Sequence, residues 1–134
     1  MVFVDTSAWF AAVVPSDQNH FHAANWLATN SDVLITTHYV IDEILTLLRA
    51  RGERQRAKLL GQKFFDGSIA EIYFLTEEDI RRAWAVFEQY HDKNWSFTDC
   101  SSKVVIDEMN IAQAFAFDHH FNQFGTVHVL PKER

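Results

Sequence analysis

The stretch VFVDTSAW, residues 2–9, decides the fold. Val2, Phe3 and Val4 form an apolar run too short for a helix and apolar on both faces, the signature of a strand buried inside a sheet. The run stops at Asp5. Ser7 is placed to cap a helix beginning at Ala8. A buried strand that turns at once into a helix is the first half of a strand–helix–strand unit.

The same grammar recurs along the chain. After Pro15, Asp17 can cap a second helix carrying Phe21, Ala24, Trp26 and Leu27. Val33 to Ile35 reads as a second strand. A helix from about His38 to Arg51 follows Thr36 and Thr37 and stops at Gly52; another runs from about Glu53 to Phe65. Glu71 to Leu75 reads as a third strand. Thr76, followed by Glu77, Glu78 and Asp79, starts a helix reaching about His91, with acids at the positive end of its dipole. Ser96 and Asp99 start a helix running to about Met109. Ile111 to Phe117 reads as a fourth strand ending at Asp118, and Val127 to Leu130 as a fifth. Residues 91–96 and 119–126 read as irregular. Strands that alternate with helices predict a three-layer α/β/α sandwich with a mainly parallel central sheet of roughly five strands.

Size and composition fit that reading. The chain has 134 residues, 48% hydrophobic and 22% charged, enough for one domain, residues 1–134, with its own core. Its four glycines, Gly52, Gly61, Gly67 and Gly125, cannot form a dinucleotide or Walker-type phosphate loop. One cysteine, Cys100, excludes an internal disulfide and a multi-cysteine zinc cage. No apolar run is long enough to span a membrane, and the first residues lack a signal peptide's basic and apolar regions, so a cytoplasmic location is expected. The net charge is −6, yet six of the twelve basic residues fall between Arg49 and Lys63: Arg49, Arg51, Arg54, Arg56, Lys58 and Lys63. Such a strip holds a polyanion or is a solvated helix face.

Chemistry points to the acids. Ligands of open parallel sheets bind beyond the carboxyl ends of the strands. Asp5 and Asp118 are expected at two such ends, and Asp99 in the first turn of a helix beside them. Glu43 shares its helix face with three of Tyr39, Val40, Ile44 and Leu47, where a carboxylate is costly unless paired or metal-bound. Each acid alone has an ordinary structural reading: Asp5 and Asp99 as helix caps, Asp118 as a turn residue, Glu43 as a snorkelling edge residue. Together they converge on one rim. Two unit charges ~4 Å apart repel by about 4 kcal/mol at an effective dielectric near 20. Without a cation, at least one of these acids should have a raised pKa. Oxygen ligands select a hard ion, Mg2+ or Mn2+. His119 and His120 read as rim residues, with contact to a scissile phosphate as the lesser alternative.

Four segments resemble the acidic motifs of the PIN-domain family: VFVDTSAW (2–9), HYVIDEILTLL (38–48), SFTDCSS (96–102) and AFAFDHHFNQFG with VHVLP (114–131). They stand in the family's order and occupy the whole chain. Among PIN domains, the chain is most similar to the VapC-like ribonuclease toxins of type II toxin–antitoxin systems. The resemblance implies that Asp5, Glu43, Asp99 and Asp118 are the catalytic, metal-holding acids. It implies that Ser7, Thr6 and Thr98 orient them. Ala116 stands where some relatives carry a further acid, which leaves one or two metals open. The implied activity is Mg2+- or Mn2+-dependent endoribonucleolysis leaving 5′-phosphate and 3′-hydroxyl ends, with an antitoxin partner and a homodimer. Arg49, Arg51 and Arg54 would position RNA, and Trp9, Trp95 and Phe121 either stack an unpaired base or, as the ordinary reading of each, pack in the core or on the surface. Trp9, Phe10 and Trp26 would supply either a dimer face or core. A catalytically silent RNA- or protein-binding module and a DNA-directed nuclease are the alternatives.

Overall fold

The computed structural model describes residues 1–131. Its strands are β1 (Val2–Val4), β2 (Leu34–Thr37), β3 (Glu71–Tyr73), β4 (Gln113–Phe115) and β5 (His128–Leu130). They form one parallel sheet in the order β3-β2-β1-β4-β5. The central β1 is fully buried, and Phe3 pairs in register with both Ile35 and Ala114. Parallel pairing demands crossovers, and each is helical. Helices α1 (Thr6–Val13) and α2 (His20–Thr29) join β1 to β2. Helices α3 (His38–Ala50) and α4 (Arg54–Phe65) join β2 to β3, α5 (Glu77–Gln89) and α6 (Phe97–Glu108) join β3 to β4, and α7 (His120–Gln123) joins β4 to β5. The chain moves outward from β1 to β3, then crosses back to β4. Right-handed crossovers therefore put α1–α4 on one face and α5–α7 on the other.

The reversal lies between β1 and β4, the topological switch point where parallel sheets open a crevice at their carboxyl edge. Asp5 and Asp118 follow those two strands. The core beneath is tight and aromatic: Phe3, Trp9, Phe64, Phe115 and Phe121 are each less than 2% exposed, and Trp9 meets Phe64 edge-on with centroids 5.0 Å apart.

Several local expectations are corrected. The cap of α1 is Asp5, whose carboxylate accepts the Ser7 N–H, so the helix starts at Thr6 rather than Ala8. The cap of α2 is Asn19, without a side-chain bond; Asp17 instead accepts the Asn19 N–H and turns the chain before the helix. Strand β4 is only three residues long, so Asp118 sits three residues past its end. Residues 120–123, read as irregular, form α7 because Phe121 has a core site to fill. The capping boxes Thr76–Asp79 and Ser96–Asp99 form as read. Gly52, with φ +77°, takes the left-handed position just after α3, which a side chain would strain. Among the described residues, no helix is long and apolar enough to cross a membrane.

Candidate active site

Four carboxylates reach one crevice of about 390 Å³, lined by Asp5, Thr6, Ser7, Glu43, Leu47, Asn94, Ser96, Asp99, Asp118 and His120. Each arrives by a different device. Asp5 is delivered by the end of β1 and held down by the start of α1. The Ser7 hydroxyl donates to Asp5 Oδ2 at 2.8 Å. The same Ser7 oxygen accepts the N–H groups of Phe117 and Asp118 at 3.0 and 3.2 Å. One hydroxyl thus ties the first acid to the segment carrying the last, more than a hundred residues away.

Glu43 lies on the second turn of α3. The Thr6 hydroxyl donates to its Oε1 at 2.5 Å. That bond explains how a carboxylate sits in an apolar stripe: its partner comes from the next element. Asp99 is 5% exposed. Its Oδ2 accepts the Ser96 N–H at 3.0 Å, completing the capping box of α6, and lies 2.8 Å from His120 Nδ1. Asp118 is half-buried, and its Oδ1 accepts the His120 N–H at 3.0 Å.

Burial dominates the electrostatics, and the crowding of like charges adds to it. Burial pushes the Asp5 carboxyl up to about 7; the Ser7 hydrogen bond opposes this and the Asp99 charge adds to it. Glu43 is also raised, first by burial and then by the charges of Asp99 and Asp118, while hydrogen bonds from Thr6 and Thr98 pull the other way. Two carboxyls held above their ordinary range, chiefly by burial, beside two more acids make a site that favours a cation. The donors are mainly carboxylate oxygens, and a divalent cation suits them.

All seven expected site residues therefore fall in or against this crevice. Thr98 takes part through its bond to Glu43, and its carbonyl accepts the Ser101 hydroxyl at 2.7 Å. His120 exceeds its expected place at the rim, since its side chain is only 16% exposed and it bridges Asp99 and Asp118. The signal was its position two residues after Asp118, but the turn that folds it back required α7.

Other expectations separate from the crevice. Arg49, Arg54 and Lys58 line a different groove, of about 910 Å³, between α3 and α4. At 100° per residue, Arg49 sits about 240° around α3 from Glu43, so the basic groove and the acids occupy different sides of that helix. Arg51 instead lies over the Phe10 ring, 5.8 Å from its centroid, and Arg56 pairs with Glu53 at 2.6 Å. The stacking surfaces expected of Trp9, Trp95 and Phe121 are overturned: they are 0%, 5% and 0% exposed because the core takes their rings. Trp26 stacks on Phe115 with centroids 4.3 Å apart, so with Trp9 it belongs to the core side of the chain rather than to a free face. Exposed aromatic rings lie elsewhere, at Phe21, Phe65 and Phe74, and on α5, where Trp84 and Phe87 stack at 5.8 Å.

Comparison with known proteins gives a consistent answer. The PIN domain family matches residues 2–126. The chain is 30% identical over 132 residues to the 23S rRNA-specific endonuclease VapC20 of Mycobacterium tuberculosis, covering 98% of this chain and 100% of that protein. It is 31% identical over 94 residues to a VapC ribonuclease of Archaeoglobus fulgidus, covering 66% and 56%. The crystal structure of Mycobacterium tuberculosis VapC20, described as a Sarcin-Ricin loop cleaving toxin, superposes with a TM-score of 0.90 at 29% identity, over 98% of this chain and 100% of that one.

Proposed function

Since the chain belongs to the PIN-domain family, we propose that it is a metal-dependent endoribonuclease of the VapC type, built as a single domain over residues 1–134. The observation that carries this is the convergence of Asp5, Glu43, Asp99 and Asp118 on one crevice, with two of their carboxyls raised. The four acids would hold Mg2+ or Mn2+. When bound, that ion would supply a water of lowered pKa and positive charge against the phosphate oxygens.

The remaining work belongs to the protein's own groups. Ser7 keeps Asp5 turned into the crevice and fixes the segment of Asp118; Thr6 and Thr98 do the same for Glu43. Ser96 anchors Asp99 through one oxygen, which leaves Oδ1 for the crevice. Arg49 and Arg54 engage the RNA backbone away from the cut, where phosphate contacts position the strand without reading bases. A cognate antitoxin covers the negatively charged crevice with a complementary basic group. The protein works in the cytoplasm and pairs as a homodimer, for which exposed Trp84 and Phe87 supply the apolar surface.

The test is cleavage of a synthetic sarcin–ricin loop RNA, the element named for the related toxin, beside an unstructured RNA and the DNA of the same sequence. Cleavage is expected in Mg2+ or Mn2+, none in chelator, and none by Asp5→Asn. Cleavage persisting in Asp5→Asn or in chelator would overturn the assignment. Binding without cleavage would leave the silent module, and equal cutting of DNA the DNA-directed nuclease.

A further inference from the structure

Beside the crevice lies a cluster of a different kind. One carboxylate oxygen of Asp118 and one ring nitrogen each of His119 and His120 all lie within 4.8 Å of one another. Asp118 Oδ1 is 3.3 Å from His120 Nδ1 and 3.8 Å from His119 Nδ1. The two imidazoles meet edge-on with centroids 4.7 Å apart. Bonds of about 2.0–2.1 Å in a tetrahedral arrangement put ligand atoms about 3.3–3.4 Å apart. The Asp118–His120 pair already stands at that spacing, the Asp118–His119 pair is 3.8 Å apart, and all three donors lie within 4.8 Å of one another.

We propose that Asp118, His119 and His120 form a second cation site, which takes a first-row transition ion of the zinc class rather than Mg2+. The donor chemistry decides the class. Imidazole nitrogen suits Zn2+ and its neighbours, whereas an all-oxygen set suits Mg2+. Two independent features prepare the rings. His120 is largely buried, and its Nδ1 stands 2.8 Å from Asp99 Oδ2, which holds the ring in place; an ion would take that nitrogen in exchange for this hydrogen bond. Asp118 is itself fixed through the Ser7 bond to its backbone. His119 is exposed, with 76% of its side chain accessible, so its ring can turn onto an ion without disturbing the core. Asp118 belongs to both sets, which places the second ion directly beside the oxygen-lined site.

The experiment is calorimetric titration of Zn2+ into the full chain kept in excess Mg2+, so that the oxygen-lined site is filled. One equivalent of Zn2+ is expected to bind. His119→Ala, an exposed change with no core contact to lose, should weaken that binding by about tenfold or more. His119→Ala combined with His120→Ala should abolish it, with far-UV circular dichroism checking that the fold persists. Absence of Zn2+ binding to the wild-type chain, or equal binding to the single variant, would overturn the site. The readout is binding, so it fails or stands separately from the ribonuclease assay in Mg2+.

Discussion

Asp5 does two things that pull its carboxyl in opposite directions. As the cap of α1 it accepts the Ser7 N–H and hydroxyl, which favour the anion. As a side chain 3% exposed and facing Asp99 it is pushed toward the protonated form, and burial wins, bringing it up to about 7. A consequence for stability follows from linkage. The folded carboxyl binds its proton more tightly than the unfolded one, whose ordinary value is 3.8. The contribution of Asp5 to stability is therefore fully present below about pH 4 and is lost as pH rises from about 4 to about 7. The loss approaches about 4 kcal/mol if Asp5 becomes fully charged without a cation. Glu43 acts in the same direction. Chemical denaturation in chelator across this range should show the decline. Saturating Mn2+ should remove it, and Asp5→Asn should flatten it. A metal-free protein whose stability rises over that window would contradict this account.

At the scale of elements, α6 shows how helix chemistry and site chemistry share one residue. Ser96 and Asp99 exchange both bonds of a capping box, so the first turn that stabilises the helix also aims the acid. Ser96→Ala is expected to cost about 1 kcal/mol of stability while leaving Mn2+ binding nearly unchanged, because the Asp99 carboxylate is held by the Ser96 backbone N–H, measured by denaturation and calorimetry on the same samples. A loss of metal affinity equal to the loss of stability would show that the hydroxyl aims the acid after all. Helix α3 divides its duties by face: Glu43 and Leu47 turn to the crevice, Leu45 and Arg49 to the basic groove. Arg49→Ala and Arg54→Ala should each weaken RNA binding about equally for all sequences and reduce the salt slope by about 1. The cleavage rate at saturating RNA should hold, because neither residue lines the crevice. Both helices were legible in the sequence, since capping boxes and apolar periodicity act within a few residues. The short α7 was not, because what fixes it is the core position of Phe121, set by strands distant in the chain.

For the molecule as a whole, the parallel sheet puts every strand's carboxyl end on one edge, and the reversal between β1 and β4 opens that edge into a crevice. The acids are held by contacts that cross the chain, such as Thr6 to Glu43 and Ser7 to Asp118. The surface away from the crevice leaves the stacked pair Trp84 and Phe87 on α5 54% and 40% exposed, the apolar patch that the proposed homodimer would cover. Trp84→Glu is expected to turn a dimer into a monomer in analytical ultracentrifugation without loss of helicity. A wild-type chain that is monomeric at every concentration would remove the dimer.

The sequence by itself determined the order of the five strands and of helices α1–α6, the parallel sheet and the four acids, because strand burial, helix capping and an acid in an apolar stripe are written in local pattern. Only the tertiary structure decided which aromatics are core, where the arginines face, and that His120 reaches Asp99. Those depend on side-chain directions across elements, and whether a ring is buried or exposed is a property of the neighbours that reach it, not of the residue that carries it.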